Sequence, residues 1–230
     1  MVVAYAVYRL VRGQVAGDAG PALARGRELV GLERELGLFF EPALQAWALS
    51  HPWLMHLAGL TYLKSHFVIT TGFIIWLYLA RNAAYPRVRN AFLAAMAFGL
   101  AGYYALPTAP PRLLPELAMS DTVAELVGPA AVDGVQALYN PWAALPSMHV
   151  AFALLVAAPA LTLVRARLWR ALWVAYPAAV TFVVVITGNH YWLDAALGVV
   201  VAAVAATLAY GVPAGLRTRR GQWQGAGATA

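Results

Sequence analysis

The chain has no cysteine, which excludes disulfide bridges and cysteine-ligated metal sites. Charge is scarce as well. Only 11% of its 230 residues are Asp, Glu, Lys or Arg, against about a quarter in a soluble domain. With 62% hydrophobic residues, that deficit excludes an ordinary soluble protein and implies an integral membrane protein. Acid is the scarcest commodity late in the chain, where Asp194 is the only one after Asp133. The HExxH zinc pattern is absent, as are repeats and low-complexity runs before the polar tail 217–230. The start, MVVAYAVYRLVRG, lacks the basic opening, the apolar length and the small-residue cleavage site of a signal peptide. The net charge of +6 reports topology in such a chain rather than nucleic-acid binding.

Long apolar runs are what the chain does have. A spanning helix needs about 20 mostly apolar residues, and five segments approach that: 66–80 (if 57–65 joins it), 91–106, 149–164, 168–187 and 191–211. A sixth, 1–11, is too short to span comfortably. The stretch 25–45 carries Leu29, Leu32, Leu36, Phe39 and Phe40 at helical spacing opposite Glu28, Arg34 and Glu35, the pattern of an interfacial amphipathic helix. Pro42 fits the start of a further short helix. In the loop 113–139, Asp121 is a good N-cap for DTVAELV. The expected fold is an all-α, polytopic bundle of five to six transmembrane helices plus that interfacial helix. Its divisions are an N-terminal segment 1–63, a membrane-embedded core 64–212 and a polar tail 213–230.

Arginines orient the bundle. Arg81, Arg87 and Arg89 follow the first span, Arg165, Arg167 and Arg170 the third, and Arg217, Arg219 and Arg220 the fifth. No acid interrupts these clusters, and alternating spans put all three on one side, the cytoplasmic one by the positive-inside rule. Three polar stretches then fall together on the opposite face: PTAPPRLLP (107–115), NPWAALPSMH (140–149) and TGNHYWLD (187–194).

Each stretch carries chemistry. His190 and Asp194 are four apart, on one helix face. A carboxylate hydrogen-bonded to imidazole fixes its tautomer and makes the other ring nitrogen a better nucleophile or base. The plainer account of Asp194 is an anion favoured by a helix N-terminus. Ser147 caps a helix beginning near His149, whose free N–H groups form an anion site. His149 can protonate a leaving group, or be only an interfacial histidine. Arg112, stiffened by two prolines, can pair with phosphate, or snorkel to lipid headgroups. Two histidines, one carboxylate, one arginine and one helix N-terminus compose a metal-free phosphoryl-transfer site.

At these residues the chain resembles the type-2 phosphatidic acid phosphatase superfamily, whose motifs are K-x6-RP, PSGH and SR-x5-H-x3-D. PSMH (146–149) matches the second with Met148 for glycine, and HYWLD (190–194) matches the end of the third. PPRLLP stands where the first belongs, with Arg112 as counterpart of its arginine. The third motif's Ser-Arg pair falls at Val183 and Val184, so that arginine is missing, and the first motif lacks its lysine and Arg-Pro order. The likeness spans roughly residues 64 to 211 and is greater to the branch containing inositol phosphorylceramide synthase. It implies that His190 is the nucleophile, Asp194 its orienting partner and His149 the acid, with Ser147 and Arg112 on phosphate. Asn189, Lys64 or His66 could supply the missing donor. His51 and His56 read as interfacial, and Trp47, Trp53, Tyr103, Tyr104, Trp142 and Trp192 as interface belts.

The resulting expectation is a cofactor-independent lipid phosphatase or headgroup phosphotransferase in the plasma membrane, with an extracytoplasmic site. Its substrate is a lipid phosphate or phosphodiester, and its acceptor water or an alcohol such as inositol or another lipid. A non-catalytic transporter or binder of anionic lipid is the alternative, and it leaves the His-x3-Asp pair unexplained.

Overall fold

The computed structural model describes residues 19–128 and 140–211, without the side chains of Ser65 and His66. The expected segment 1–11 and the tail 213–230 lie outside these residues. Nine α-helices are described: α1 Ala19–Glu35, α2 Glu41–Leu49, α3 Pro52–Leu60, α4 His66–Ala80, α5 Tyr85–Ala105, α6 Thr122–Val127, α7 Met148–Leu163, α8 Arg167–Ile186 and α9 Trp192–Gly211. A π-helical turn, Thr61–Ser65, joins α3 to α4.

Helices α5, α7 and α9 form the centre of the bundle, with α4 and α8 outside them. Their contact surfaces are dominated by small residues, Ala91, Ala95, Ala151, Ala160, Ala202 and Ala205, with Leu77, Phe92, Leu155 and Val156 filling between. Small side chains let helix backbones approach closely, the usual means of packing where lipid removes the hydrophobic drive between helices. The outward faces are apolar too: Phe67, Leu79, Leu168, Val174, Val200 and Leu208 are exposed. Helices hydrophobic all round belong in a bilayer.

Two helices, α8 and α9, are each long and apolar enough to cross a membrane. The pair Pro52–Lys64 and Phe67–Ala80, bent by 44°, makes a third if it is one span. Helix α7 is apolar but has 16 residues, and Arg87, Arg89 and Asn90 dilute the first turns of α5. Among the described residues, length and composition show two to three spans rather than five to six.

The expected single helix 25–45 is two helices. Gly37 takes a left-handed φ of 68°, and Leu38 N–H and Gly37 N–H donate to the Glu33 and Arg34 carbonyls. That pairing is a Schellman C-cap, which glycine permits without a Cβ penalty. Pro42 lies in the first turn of α2. The outward face of this region is the leucine one. Ala22, Gly26, Val30 and Glu33 are the buried residues of α1, while Leu32, Leu36 and Phe40 are exposed. The reason is close approach: a Cβ on Gly26 would sit 3.0 Å from the Ala109 carbonyl and the Tyr191 hydroxyl. The leucine stripe is thus turned away from the protein, and a buried acid takes its place. The short helix at 122–127 forms as expected, with Asp121 accepting from Ala124 N–H at 3.0 Å.

Candidate active site

Three loops meet at one end of the bundle, where α5 and α8 finish and α7 and α9 begin. Backbone bonds tie them. Thr108 N–H donates to the Trp142 carbonyl and Arg112 N–H to the Gly188 carbonyl. Tyr191 hydroxyl donates to the Ala109 carbonyl at 2.9 Å. Ser147 N–H donates to the Asp194 carbonyl at 2.9 Å.

The turn 146–148 is gripped between helices. Leu145–Pro146 is a cis peptide. A Cβ on Gly102 would meet Pro146, one on Gly99 would meet Met148, and one on Gly198 would overlap the Ser147 carbonyl oxygen. Glycine in α5 and α9 therefore sets how deeply this turn seats. Ser147 occupies the N-cap position of α7 but makes no capping bond through its side chain. Its Oγ is buried without a partner, where a plain cap would have bonded the second or third helical N–H.

His190 and Asp194 are buried together. His190 Nδ1 lies 3.1 Å from Asp194 Oδ2 and 3.0 Å from the Ala144 carbonyl. Both neighbours are acceptors, so Nδ1 carries the hydrogen and Nε2 keeps its lone pair. His149 approaches from the first turn of α7, its ring centroid 5.7 Å from that of His190. Its other face stacks on Tyr62 at 4.5 Å and 22°, from the π-helical turn that bends the α3–α4 pair; such bulges recur at functional sites. Both histidines line a cavity of about 220 Å³, together with Tyr62, Tyr103, Asn140 and the apolar Met96, Leu100 and Phe152.

The Arg112 side chain is buried next to the loop of His190, and, like Ser147, it is not among the cavity's lining residues. It donates to Asn189 Oδ1 at 2.6 Å and forms an ion pair with Asp121 at 3.2 Å. Asn189 gives its amide hydrogens to Thr187, so it holds Arg112 in place rather than offering a spare donor. Lys64 is exposed and is not among the cavity's lining residues. The His66 side chain lies outside the described residues. Among the described residues, no three His, Asp or Glu side chains gather as a metal-binding group.

Comparison with known proteins follows the same residues. The family model of the PAP2 superfamily matches residues 27–208. The chain belongs to the PAP2 superfamily. PAP2 proteins are in general metal-independent phosphatases of the membrane, and the match contains His149, His190 and Asp194 and begins within α1. No curated protein and no solved structure matches the chain significantly.

Sequence reasoning missed several neighbours of this candidate site. Tyr62 gives no sequence signal, and Tyr103, read as a belt residue, lines the cavity and donates to the Pro146 carbonyl at 3.3 Å. Glu33, Glu41 and Gln45 are buried against the loop that carries His190. Their partners are about 140 to 160 residues away in the chain, so no local pattern marks them. Burial raises the Glu33 carboxyl well above its ordinary range, and a hydrogen bond with Glu41 raises it further.

Proposed function

We propose that this PAP2 protein is a membrane enzyme acting on a lipid phosphate or phosphodiester through a phosphohistidine at His190. The observation that carries the reading is the state of that ring. Nδ1–H is held between the Ala144 carbonyl and Asp194, while the ring also borders a cavity shared with His149. The Nε2 lone pair attacks phosphorus, and the bond from phosphorus to the leaving oxygen breaks. His149 supplies the proton to that oxygen. Asp194 stabilises the imidazolium that forms. Ser147 Oγ, Arg112 and the first N–H groups of α7 hold the phosphoryl oxygens. In the second step water or an alcohol attacks the phosphohistidine, and His149 takes its proton. Asn189 serves by fixing Arg112, and Lys64 is left to headgroups.

The apolar residues that line the cavity with the histidines, Met96, Leu100, Met148 and Phe152, support a substrate with a hydrocarbon chain. The arginine clusters support an extracytoplasmic site in a five- to six-span bundle of the plasma membrane. The spacing of the last two motifs supports a likeness to the inositol phosphorylceramide synthase branch, and with it transfer to an alcohol. The test is to incubate purified protein in detergent with a panel of lipid phosphates, with and without inositol, following free phosphate and new lipid. Phosphate without acceptor identifies a phosphatase, and a new phospholipid that requires the acceptor identifies a transferase. Neither product, or full function in His190→Ala, overturns the reading in favour of a transporter or binder of anionic lipid.

A further inference from the structure

Two buried acids outside the reaction scheme meet at the start of α9. Glu33, from the last turn of α1, accepts from Leu193 N–H through Oε1 at 2.8 Å. Glu41, the first residue of α2, accepts from Trp192 N–H through Oε1 at 3.3 Å. These are the first two amides of a helix, which its own geometry leaves without acceptors. Both side chains are 0% exposed. The second oxygen of each, Oε2, is buried with no donor beside it. Two carboxyl groups on adjacent amides, out of water and without a donor for either Oε2, cannot both stay ionised. One proton held by the pair answers both.

We propose that Glu33 and Glu41 share one proton and act as positioning residues, clamping the loop that carries His190 and the first turn of α9 that carries Asp194 for the phosphoryl transfer described above. The third member of the clamp is Gln45 of α2, which donates to the Ile186 carbonyl at the end of α8 at 3.1 Å. It is fixed in turn by Ser120, whose N–H donates to its Oε1 at 2.8 Å. The loop 187–191 therefore has both ends fastened to one short stretch, residues 33–45: Ile186 to Gln45, and Trp192 with Leu193 to the acid pair.

One proton is the number the surroundings demand. The charged groups facing Glu33 are Glu41 from α2 and Asp194 from α9; Asp194 in turn faces His190. Tyr191 also faces these acids, and Glu116 as well. The nearby cations are engaged elsewhere. Arg25 donates to the Pro107 carbonyl, Arg27 pairs with Glu116, Arg34 lies over Phe39, and Arg112 pairs with Asp121. A singly protonated pair presents one negative charge to the positive end of α9, which the helix dipole favours. Losing that proton would place three carboxylates together out of water. Burial first, then the bond and charge of Glu41 and the charge of Asp194, hold the Glu33 proton up to about 9. Deprotonation then repels α1 from α2 and frees the start of α9.

The inference rests on the proposed phosphoryl transfer, so its test has a readout that does not. The full chain in detergent is compared with Glu33→Gln and Glu33→Ala, measuring kcat and KM on a short-chain lipid phosphate across pH, and melting temperature across the same range. Glutamine keeps an oxygen for Leu193 N–H and an N–H for Glu41. Wild-type melting temperature is expected to fall as pH rises toward about 9, where the folded protein holds a proton that the unfolded chain has lost, and kcat to fall as pH passes through about 9, with KM little changed. Glu33→Gln should keep both flat there, and Glu33→Ala should lose at least tenfold in kcat at every pH or fail to fold. A Glu33→Gln protein with the wild-type alkaline fall in both readouts, or a Glu33→Ala protein with wild-type kcat, overturns the proposal. If wild type turns over no lipid phosphate, the phosphoryl-transfer reading fails, while the melting comparison still decides whether a proton is shared.

Discussion

Replacing Asp194 by asparagine separates two jobs that a carboxylate can do for a histidine. Where a carboxylate is the sole partner of Nδ1, the amide scrambles the tautomer and costs about 10⁴ in turnover. Here Nδ1 has a second acceptor, the Ala144 carbonyl at 3.0 Å, which no side-chain change removes. A carbonyl only accepts, so Nδ1 keeps its hydrogen in Asp194→Asn and Nε2 keeps its lone pair. The loss is confined to the charge-assisted part of the 3.1 Å bond. A hydrogen bond to a charged group contributes about 1.5–3 kcal/mol, and about 1.4 kcal/mol is a factor of ten in rate. The expected fall in kcat is thus ~10–100-fold, with KM little changed. The assay is phosphate release from a short-chain lipid phosphate, with circular dichroism to show that the fold is kept. Unchanged activity would refute a role for the carboxylate. A loss of ~10⁴ or more, equal to that of His190→Ala, would refute the claim that the Ala144 carbonyl holds the tautomer.

Other perturbations follow from the same geometry. Gly198→Ala puts a methyl group into the Ser147 carbonyl, an overpacking worth about 1–3 kcal/mol, and displaces Ser147 and His149 from His190. Turnover should fall about 10²-fold with a lower melting temperature, read by kinetics and thermal unfolding. Arg112→Lys cannot serve Asn189 and Asp121 together and loses the planar fork suited to phosphate; KM should rise about tenfold in the same assay. Because the folded-state pKa of Glu33 is raised from 4.5 to about 9, the folded protein binds a proton that the unfolded chain has lost. Stability therefore falls as pH rises through that window, by at most ~1.4 kcal/mol per unit for one proton; urea unfolding at a series of pH values measures the slope. Vanadate, which imitates pentavalent phosphorus, should inhibit competitively, and EDTA should leave phosphate release unchanged.

The meeting of three loops was legible in the sequence because it rests on long-period signals. Apolar runs give the helices, arginine clusters give their alternation, and His-x3-Asp gives a shared helix face. Helix limits at 148, 167 and 192 fall within a residue or so of those signals. The division of 25–45 was carried by Gly37, a residue read as one more position in an amphipathic pattern. Glu33 was hidden for a different reason. Its partners are a backbone amide 160 residues away and a second acid eight residues on, and neither distance has a period. The Ala144 carbonyl is backbone and leaves no mark in sequence at all. Arg112 and Asn189, each read as a phosphate donor, are also hydrogen-bonded to one another, on loops joined by the bond from Arg112 N–H to the Gly188 carbonyl.

The most direct test of the central claim is to trap the covalent intermediate. Purified protein is mixed with a radiolabelled lipid phosphate, quenched in alkali within milliseconds, and digested to locate the label. The account predicts an alkali-stable, acid-labile phosphoryl group on the peptide containing His190, absent in His190→Ala and accumulating in His149→Ala with a substrate whose leaving group needs no proton. Turnover with no label on that peptide, or a label that survives His190→Ala, would contradict it.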